Sequence, residues 1–208
     1  MADYILYDFP RSSASYRVRI ALALKGIDYQ TRAIDIRAGE QSAPDYRSIA
    51  PAGLVPALLL PDRTILTQSL AIIRFLDTVA EPRLFPIAPV ADAGVSAMCL
   101  AIACDIHPIN NLRVLGYLQK ELAVSDSAKS DWYAHWVQTG FAALETEIAK
   151  HSGRYCYGDV LSAADVCLVP QVVNARRFDV DVSQFPLLTA INDRLCQIPE
   201  FIEAAPQT

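Results

Sequence analysis

The sequence predicts an α+β protein in which a small mixed α/β domain precedes an all-helical domain. Over residues 1–80, short apolar runs typical of strands alternate with segments of helical periodicity. Residues 81–89 contain three prolines, which is typical of a linker. From residue 90 to 208, every apolar-periodic segment has the length of a helix, and none is a convincing strand.

The first domain has the predicted order β-α-β-α-β-β-α, which folds as a small mixed sheet covered by helices. The turn at residues 61–63 predicts a hairpin between its last two strands. Leu70, Ile73 and Leu76 are predicted to form the buried face of its last helix. The predicted elements are 4–8, 15–25, 29–36, 46–49, 57–60, 64–66 and 69–79.

The helical domain is predicted to contain helices at 90–122, 131–150, 162–175 and 187–197. Pro108 lies inside the first of these helices and should kink it. By the i, i+3, i+4 rule, His107, Asn110 and Asn111 are expected to share one helical face. The residues from Ser162 to Asp165 have the form of a capping box, so Asp165 is interpreted as a structural carboxylate.

Composition excludes several classes of function. A hydrophobic content of 52% and a charged content of 20% are typical of a soluble globular protein. The net charge of −5, without a lysine-rich run, argues against nucleic-acid binding. We found no apolar stretch near the roughly 20 residues of a membrane span and no export signal, so we expect a cytoplasmic protein without membrane association. Five cysteines without a Cys-x-x-Cys motif indicate reduced thiols, and the three histidines form no ligand pattern, so no metal is expected.

The most informative stretch runs from Arg11 to Gly26. A strand leads into a serine-rich turn, the turn opens a helix, and Gly26 ends that helix. The N–H groups at a helix start, together with hydroxyl donors, favour a bound anion such as a thiolate. A serine at this position is also an ordinary N-cap, and Arg11 could be a solvated surface charge. The turn alone leaves both interpretations open.

Together with later motifs, this turn resembles the signature of the zeta-class glutathione transferases. That class includes the glutathione-dependent maleylacetoacetate and maleylpyruvate isomerases. The resemblance covers nearly the whole chain and is carried by residues 11–22, 54–58, 68–69, 104–111, 158–159 and 167–178. Ala14 stands where the class usually has cysteine; this departure and residues 104–111 favour the maleylpyruvate branch.

The resemblance implies a glutathione transferase fold: a thioredoxin-like domain at 1–80, a linker at 81–89 and an all-α domain at 90–208. It also implies a homodimer that uses glutathione to isomerise a small maleyl-type diacid from cis to trans in aromatic compound catabolism. Two alternatives remain open. One is a transferase or dehalogenase acting on small α-halo acids, and the other is a non-catalytic member that serves as an interaction module.

The resemblance also implies roles for individual residues. Ser12 and Ser13 are expected to stabilise the glutathione thiolate. The parts of glutathione are expected to contact Gln41, the backbone of Val55 before a cis proline, Gln68, Ser69, His107 and Asn111.

Four arginines are implied as ligands of the substrate carboxylates: Arg11, Arg113, Arg176 and Arg177. Structural interpretations compete with several of these roles. Ser69 can cap a helix, His107 can be a hydrogen-bonded core side chain, and arginines at a helix C-terminus are favoured by its dipole.

Overall fold

The structure is a computed structural model of the chain, described here for residues 4–206. The chain divides into two compact units. Of the described residues, the first unit comprises 4–83 and 198–206, and the second comprises Leu84–Gln197.

The first unit is built on a mixed sheet of four strands, β1 Tyr4–Asp8, β2 Tyr29–Ala33, β3 Ala57–Leu59 and β4 Ile65–Thr67. Their order in the sheet is β2-β1-β3-β4. The central strand β1 pairs in parallel with β2 and antiparallel with β3, and β3 pairs antiparallel with β4. The helices of this unit are α1 Ser13–Leu24, α2 Pro44–Ile49, α3 Ser69–Val79 and α9 Pro199–Glu203, with a 3₁₀ turn at Glu40–Ser42.

Helix α1 is buried over most of its circumference and packs against α3 and α9. Its Arg19 is 7% exposed and contacts both Asp8 carboxylate oxygens, at 2.8 and 2.9 Å. The same guanidinium donates to the carbonyls of Ala204 and Pro10, each at 2.9 Å. The Tyr16 hydroxyl donates to the Phe201 carbonyl at 2.9 Å. These bonds hold residues 198–206 in the first unit, whereas the prediction had assigned them to the helical domain.

The second unit contains five α-helices, and a complete break lies where the sequence predicts only a kink at Pro108. Its helices are α4 Pro89–Leu100, α5 Leu112–Lys120, α6 Asp126–His151, α7 Ala163–Arg177 and α8 Pro186–Leu195. Between α4 and α5 lie a π-helical turn at Ala101–Ile106 and a 3₁₀ turn at Pro108–Asn110. The single helix predicted over 90–122 is therefore wrong.

The break has a local cause. The His107 N–H donates to the Ile102 carbonyl five residues earlier, at 2.9 Å, and the proline that follows has no N–H to continue a helical ladder. A Cβ atom on Gly140 of α6 would overlap the Ile106 side chain. Glycine at this position therefore leaves the space in which the π-helical turn packs against α6. His107, Asn110 and Asn111 consequently do not share a helical face, contrary to the prediction.

Helix α7 begins at the predicted capping box. The Asp165 carboxylate, fully buried, accepts from the N–H of Cys156 at 2.9 Å, from the N–H of Ser162 at 2.8 Å and from the Ser162 hydroxyl at 3.0 Å. The Ala163 N–H donates at 2.8 Å to the carbonyl of Leu84, which lies inside the predicted linker. Asp165 therefore has the structural role predicted for it.

The helical run Pro89–Lys120 is, by length and composition, apolar enough to cross a membrane, which the sequence analysis did not anticipate. Its most apolar window has a mean hydropathy of 1.5 and is 28% buried. Core helices of globular proteins meet the same criterion, and Val95, Met98 and Ile102 of this run are buried.

We expect Arg19→Ala to lower the free energy of unfolding by about 3–5 kcal/mol, because the Asp8 carboxylate would stay buried without its cation. Chemical denaturation measures this change. The control is Lys150→Ala, which removes a solvent-exposed ion pair with Glu147 at 2.7 Å and should leave the free energy of unfolding near that of the parent. Equal losses in the two variants would contradict the importance of the buried pair.

Candidate functional site

Three segments of the first unit emerge at the same end of its sheet. Ala57 pairs with Tyr7 on one side and with Thr67 on the other. The residues that precede Ala57, follow β1 and follow β4 are therefore neighbours. This register brings together the segments that carry Ser12, Val55 and Gln68.

Ser12 is the N-cap of α1. Its side-chain oxygen accepts from the N–H of Ser15 at 3.2 Å, and its backbone N–H donates to Phe9 at 2.8 Å. Since the cap uses the hydroxyl only as an acceptor, the hydroxyl hydrogen can donate to an anion at the helix start. Ser13 follows as the first helical residue and is 6% exposed. Arg11 is exposed on the turn that precedes them.

Val55 lies just before β3, and the Val55–Pro56 peptide bond is cis, as the family resemblance implied. Within residues 4–206, neither the N–H nor the C=O of Val55 makes a hydrogen bond. Upstream, the Tyr46 hydroxyl donates to the Leu54 carbonyl at 2.8 Å, and burial raises the pKa of Tyr46 to about 12. Tyr46 therefore remains a hydrogen-bond donor that holds the loop immediately before Val55.

Gln41 lies in the 3₁₀ turn, next to the same loop. A Cβ atom on Gly53, which has a φ of +62°, would come within 2.9 Å of the Gln41 carbonyl, so glycine is needed at this contact. The side-chain oxygen of Gln41 is buried and has no hydrogen-bond partner in the described part of the chain. A buried acceptor of this kind is typical of a position that a ligand or water completes.

Gln68 and Ser69 form the start of α3. Gln68 has a φ of +68°, which is uncommon for a residue other than glycine, and such backbone strain is concentrated at functional sites. The Ser69 hydroxyl accepts from the Arg17 guanidinium at 3.1 Å. Ser69 does not act as the N-cap, because Gln68 occupies that position without a side-chain cap bond.

Arg17 is the residue of this region that the sequence analysis missed. It is 1% exposed and connects α1 to the start of α3 through Ser69. The sequence gives only a weak indication that Arg17 is buried. It lies between Tyr16 and Val18, in a largely apolar helix that has no clear polar face. A buried cation at this position adds positive potential beside two helix N-termini.

In the second unit, the predicted ligands around His107 occupy the break between α4 and α5. Asn111 is the N-cap of α5, and its side-chain oxygen accepts from the Arg113 N–H at 3.2 Å. Asn110 is 6% exposed and donates to the Tyr133 carbonyl at 3.3 Å. His107 is half-buried and Arg113 is exposed. Asn111 thus has a structural role that the sequence analysis did not predict.

The two arginines at the end of α7 have different partners. Arg176 makes an exposed ion pair with Asp193 of α8 at 3.1 Å. Arg177 donates to the side-chain oxygen of Asn174, and its guanidinium carbon lies 5.5 Å from the centroid of the Phe178 ring. Because Asp193 already pairs with Arg176, Arg176 is less suited to bind a further anion.

The described residues hold no group of three or more His, Cys, Asp or Glu that could bind a metal ion. The first unit instead combines helix starts, amide groups and hydroxyls, which can bind an anion and a zwitterionic peptide. The second unit, described by itself, has exposed guanidinium groups at Arg113, Arg176 and Arg177.

Residues 11–79 match the family model of the glutathione S-transferase N-terminal domain. A probable maleylacetoacetate isomerase of Vibrio cholerae is 48% identical over 210 residues, covering 100% of this chain and 97% of the relative. Among solved structures, the holo form of a maleylpyruvate isomerase, described as a bacterial zeta-class glutathione S-transferase, has a TM-score of 0.93 at 40% identity, covering 97% of this chain and 96% of that one. A maleylacetoacetate isomerase of Methylobacterium extorquens with bound malonate and glutathione has a TM-score of 0.94 at 35% identity, with the same two coverages of 97% and 96%.

Proposed function

Because this chain belongs to the zeta class of the glutathione transferase family, we propose that it is a glutathione-dependent isomerase converting a maleyl-type diacid to its trans isomer. The observation that carries the proposal is the convergence of Ser12, Val55 and Gln68 at one end of the sheet, at the start of two helices.

The residues at this end of the sheet fit glutathione. The unpaired backbone groups of Val55 match a peptide bond, and the buried, unpartnered oxygen of Gln41 matches an N–H donor of the tripeptide. Ser69 and the N-terminus of α3 suit the γ-glutamyl carboxylate. In the second unit, His107 and Asn111 are further candidates for contact with glutathione.

When bound, glutathione supplies a thiolate that adds to the cis double bond and is expelled after rotation about the resulting single bond. Ser12 keeps that sulfur ionised by donating its hydroxyl hydrogen, and Ser13 adds a backbone N–H at the helix start. Lowering a thiol pKa by two units from about 8.5 needs roughly 2.7 kcal/mol. One charge-assisted hydrogen bond together with a helix N-terminus supplies about that amount.

In this proposal, three arginines bind the substrate carboxylates. Arg11 lies on the turn between β1 and α1, Arg113 lies at the start of α5, and Arg177 lies at the end of α7. Guanidinium groups bind carboxylates through paired N–H donors, and they also stabilise the oxygen that becomes negative during addition. Arg176 is a weaker candidate because Asp193 already pairs with it.

The substrate is maleylpyruvate or maleylacetoacetate, and relatives of both kinds match the chain over nearly its full length. We also propose a cytoplasmic homodimer. The support for a dimer is the exposed apolar surface of the run Pro89–Lys120, where Val90 is 82% and Leu100 48% exposed. The support for the cytoplasm is the five free cysteines.

A stopped-flow absorbance assay with maleylpyruvate and with maleylacetoacetate, each with and without glutathione, tests the proposal. We expect glutathione-dependent formation of the trans isomer with no net consumption of glutathione. Consumption of glutathione with an α-halo acid, and no isomerisation, would instead indicate a transferase or dehalogenase.

We expect Ser12→Ala to lower kcat at least tenfold and to raise the thiol pKa of bound glutathione by about one unit, equivalent to about 1.4 kcal/mol. The reason is the loss of the hydroxyl donor to the thiolate. Thiolate absorbance of the binary complex, titrated against pH, measures the pKa.

Ser125→Ala is the matched control, since Ser125 caps α6 with the same 3.2 Å bond, from Ala128. Both variants should lose comparable stability, about 1 kcal/mol, through the lost cap. Only Ser12→Ala should change the titration, and a parental kcat and titration in that variant would refute the role of Ser12.

We expect Arg11→Ala and Arg177→Ala each to raise the KM for the diacid at least tenfold, because each removes a carboxylate ligand. Steady-state kinetics at saturating glutathione measure the change. Arg194→Ala, which also removes one positive charge, is the control and should leave this KM unchanged; Arg194 lies in α8 and donates to the Arg154 carbonyl. If neither Arg11→Ala nor Arg177→Ala changes the KM, these arginines do not bind the carboxylates.

A further inference from the structure

Asn174 connects Arg177 to the interior of the second unit. It is 7% exposed and lies one helical turn before Arg177 on α7. Its side-chain oxygen accepts from the Arg177 guanidinium, and its side-chain nitrogen donates to the Tyr133 hydroxyl at 2.6 Å. A flipped amide would place its NH₂ group against the guanidinium, donor against donor, so these two bonds fix one orientation of the amide.

Tyr133 is itself held on several sides. It is 2% exposed, and its ring stacks on Phe178 with centroids 4.3 Å apart and an interplanar angle of 25°. Burial raises the pKa of the Tyr133 phenol, so the hydroxyl stays neutral and does not place a negative charge beside Arg177. Phe178 contacts both Tyr133 and the Arg177 guanidinium.

The turn of α6 that contains Tyr133 also makes hydrogen bonds to the segment between α4 and α5. The Tyr133 carbonyl accepts from Asn110 at 3.3 Å, and the indole N–H of Trp132 donates to the Ile109 carbonyl at 3.1 Å. One short part of α6 therefore sets the positions of Arg177 and of the residues that follow His107.

We propose that Asn174 and Tyr133 are positioning residues that orient the Arg177 guanidinium for a substrate carboxylate. The inference rests on the proposed function, in which Arg177 binds that carboxylate. An exposed arginine loses much side-chain freedom when it binds an anion. A guanidinium already fixed by an amide and an aromatic ring loses less, so substrate binding is tighter.

The experiment measures the dissociation constant of malonate for the glutathione-loaded protein by calorimetry, alongside the KM for the diacid and the melting temperature. The variants are Arg177→Ala, Asn174→Ala and Tyr133→Phe, and Tyr133→Phe removes one oxygen while it keeps the ring that stacks on Phe178. Asn192→Ala is the control. Asn192 is also buried, and its side-chain nitrogen donates a hydrogen bond to the Asp193 carboxylate of α8 at 3.0 Å.

We expect Arg177→Ala to weaken malonate binding at least tenfold, Asn174→Ala about fivefold or more, and Tyr133→Phe by about two- to fivefold. The KM for the diacid should rise in parallel, while kcat at saturation changes less. Asn192→Ala should lower the melting temperature as Asn174→Ala does, without changing either binding constant.

Two outcomes would overturn the inference, and they differ in what else they overturn. If Arg177→Ala weakens binding but Asn174→Ala and Tyr133→Phe behave like Asn192→Ala, the network is merely structural and the proposed role of Arg177 stands. If Arg177→Ala leaves both the malonate constant and the KM unchanged, the carboxylate role of Arg177 and the inference fail together. Tyr133→Phe decides the question even if Asn174→Ala does not fold.

Discussion

One buried guanidinium fixes the start of the first helix. Arg19 contacts the Asp8 carboxylate and the carbonyls of Pro10 and Ala204, so its donors are used by the end of β1, by the turn after it and by the C-terminal segment. A buried charge is tolerated only with such a set of acceptors, and any other path of the turn would remove one of them. Because Ser12 follows Pro10 by two residues, the position of the candidate thiolate ligand depends on this ion pair.

Elements with clear chemical signals at their ends were predictable from the sequence. Helix α3 has the predicted bounds, Ser69–Val79, and α7 starts at its predicted capping box. The break between α4 and α5 was not predictable from periodicity, because the apolar spacing continues through Pro108. It depends on the i→i+5 bond of His107 and on the space that Gly140 leaves, which are tertiary features.

The candidate site was predictable only where family motifs mark it. The motifs indicated Ser12, Val55 and Gln68 as separate stretches, and the strand register explains why they meet. The burial of Arg17 has no comparable signal, because an arginine in a helix usually extends its charged end to water. Its hydroxyl partner, Ser69, lies 52 residues later in the chain, so only the packing of α1 against α3 determines that the cation stays inside.

The neighbouring residues Arg176 and Arg177, at the end of α7, have the same sequence context but different partners in the fold. The helix dipole favours both Arg176 and Arg177, and both lie in the same family motif, residues 167–178. Successive positions on a helix differ by about 100°, so one faces Asp193 and the other faces Asn174 and Phe178. A carboxylate neutralises the arginine that it pairs with, whereas an amide and an aromatic ring orient a guanidinium without cancelling its charge. The ion pair with Asp193 therefore makes Arg176 the weaker candidate for an anion ligand.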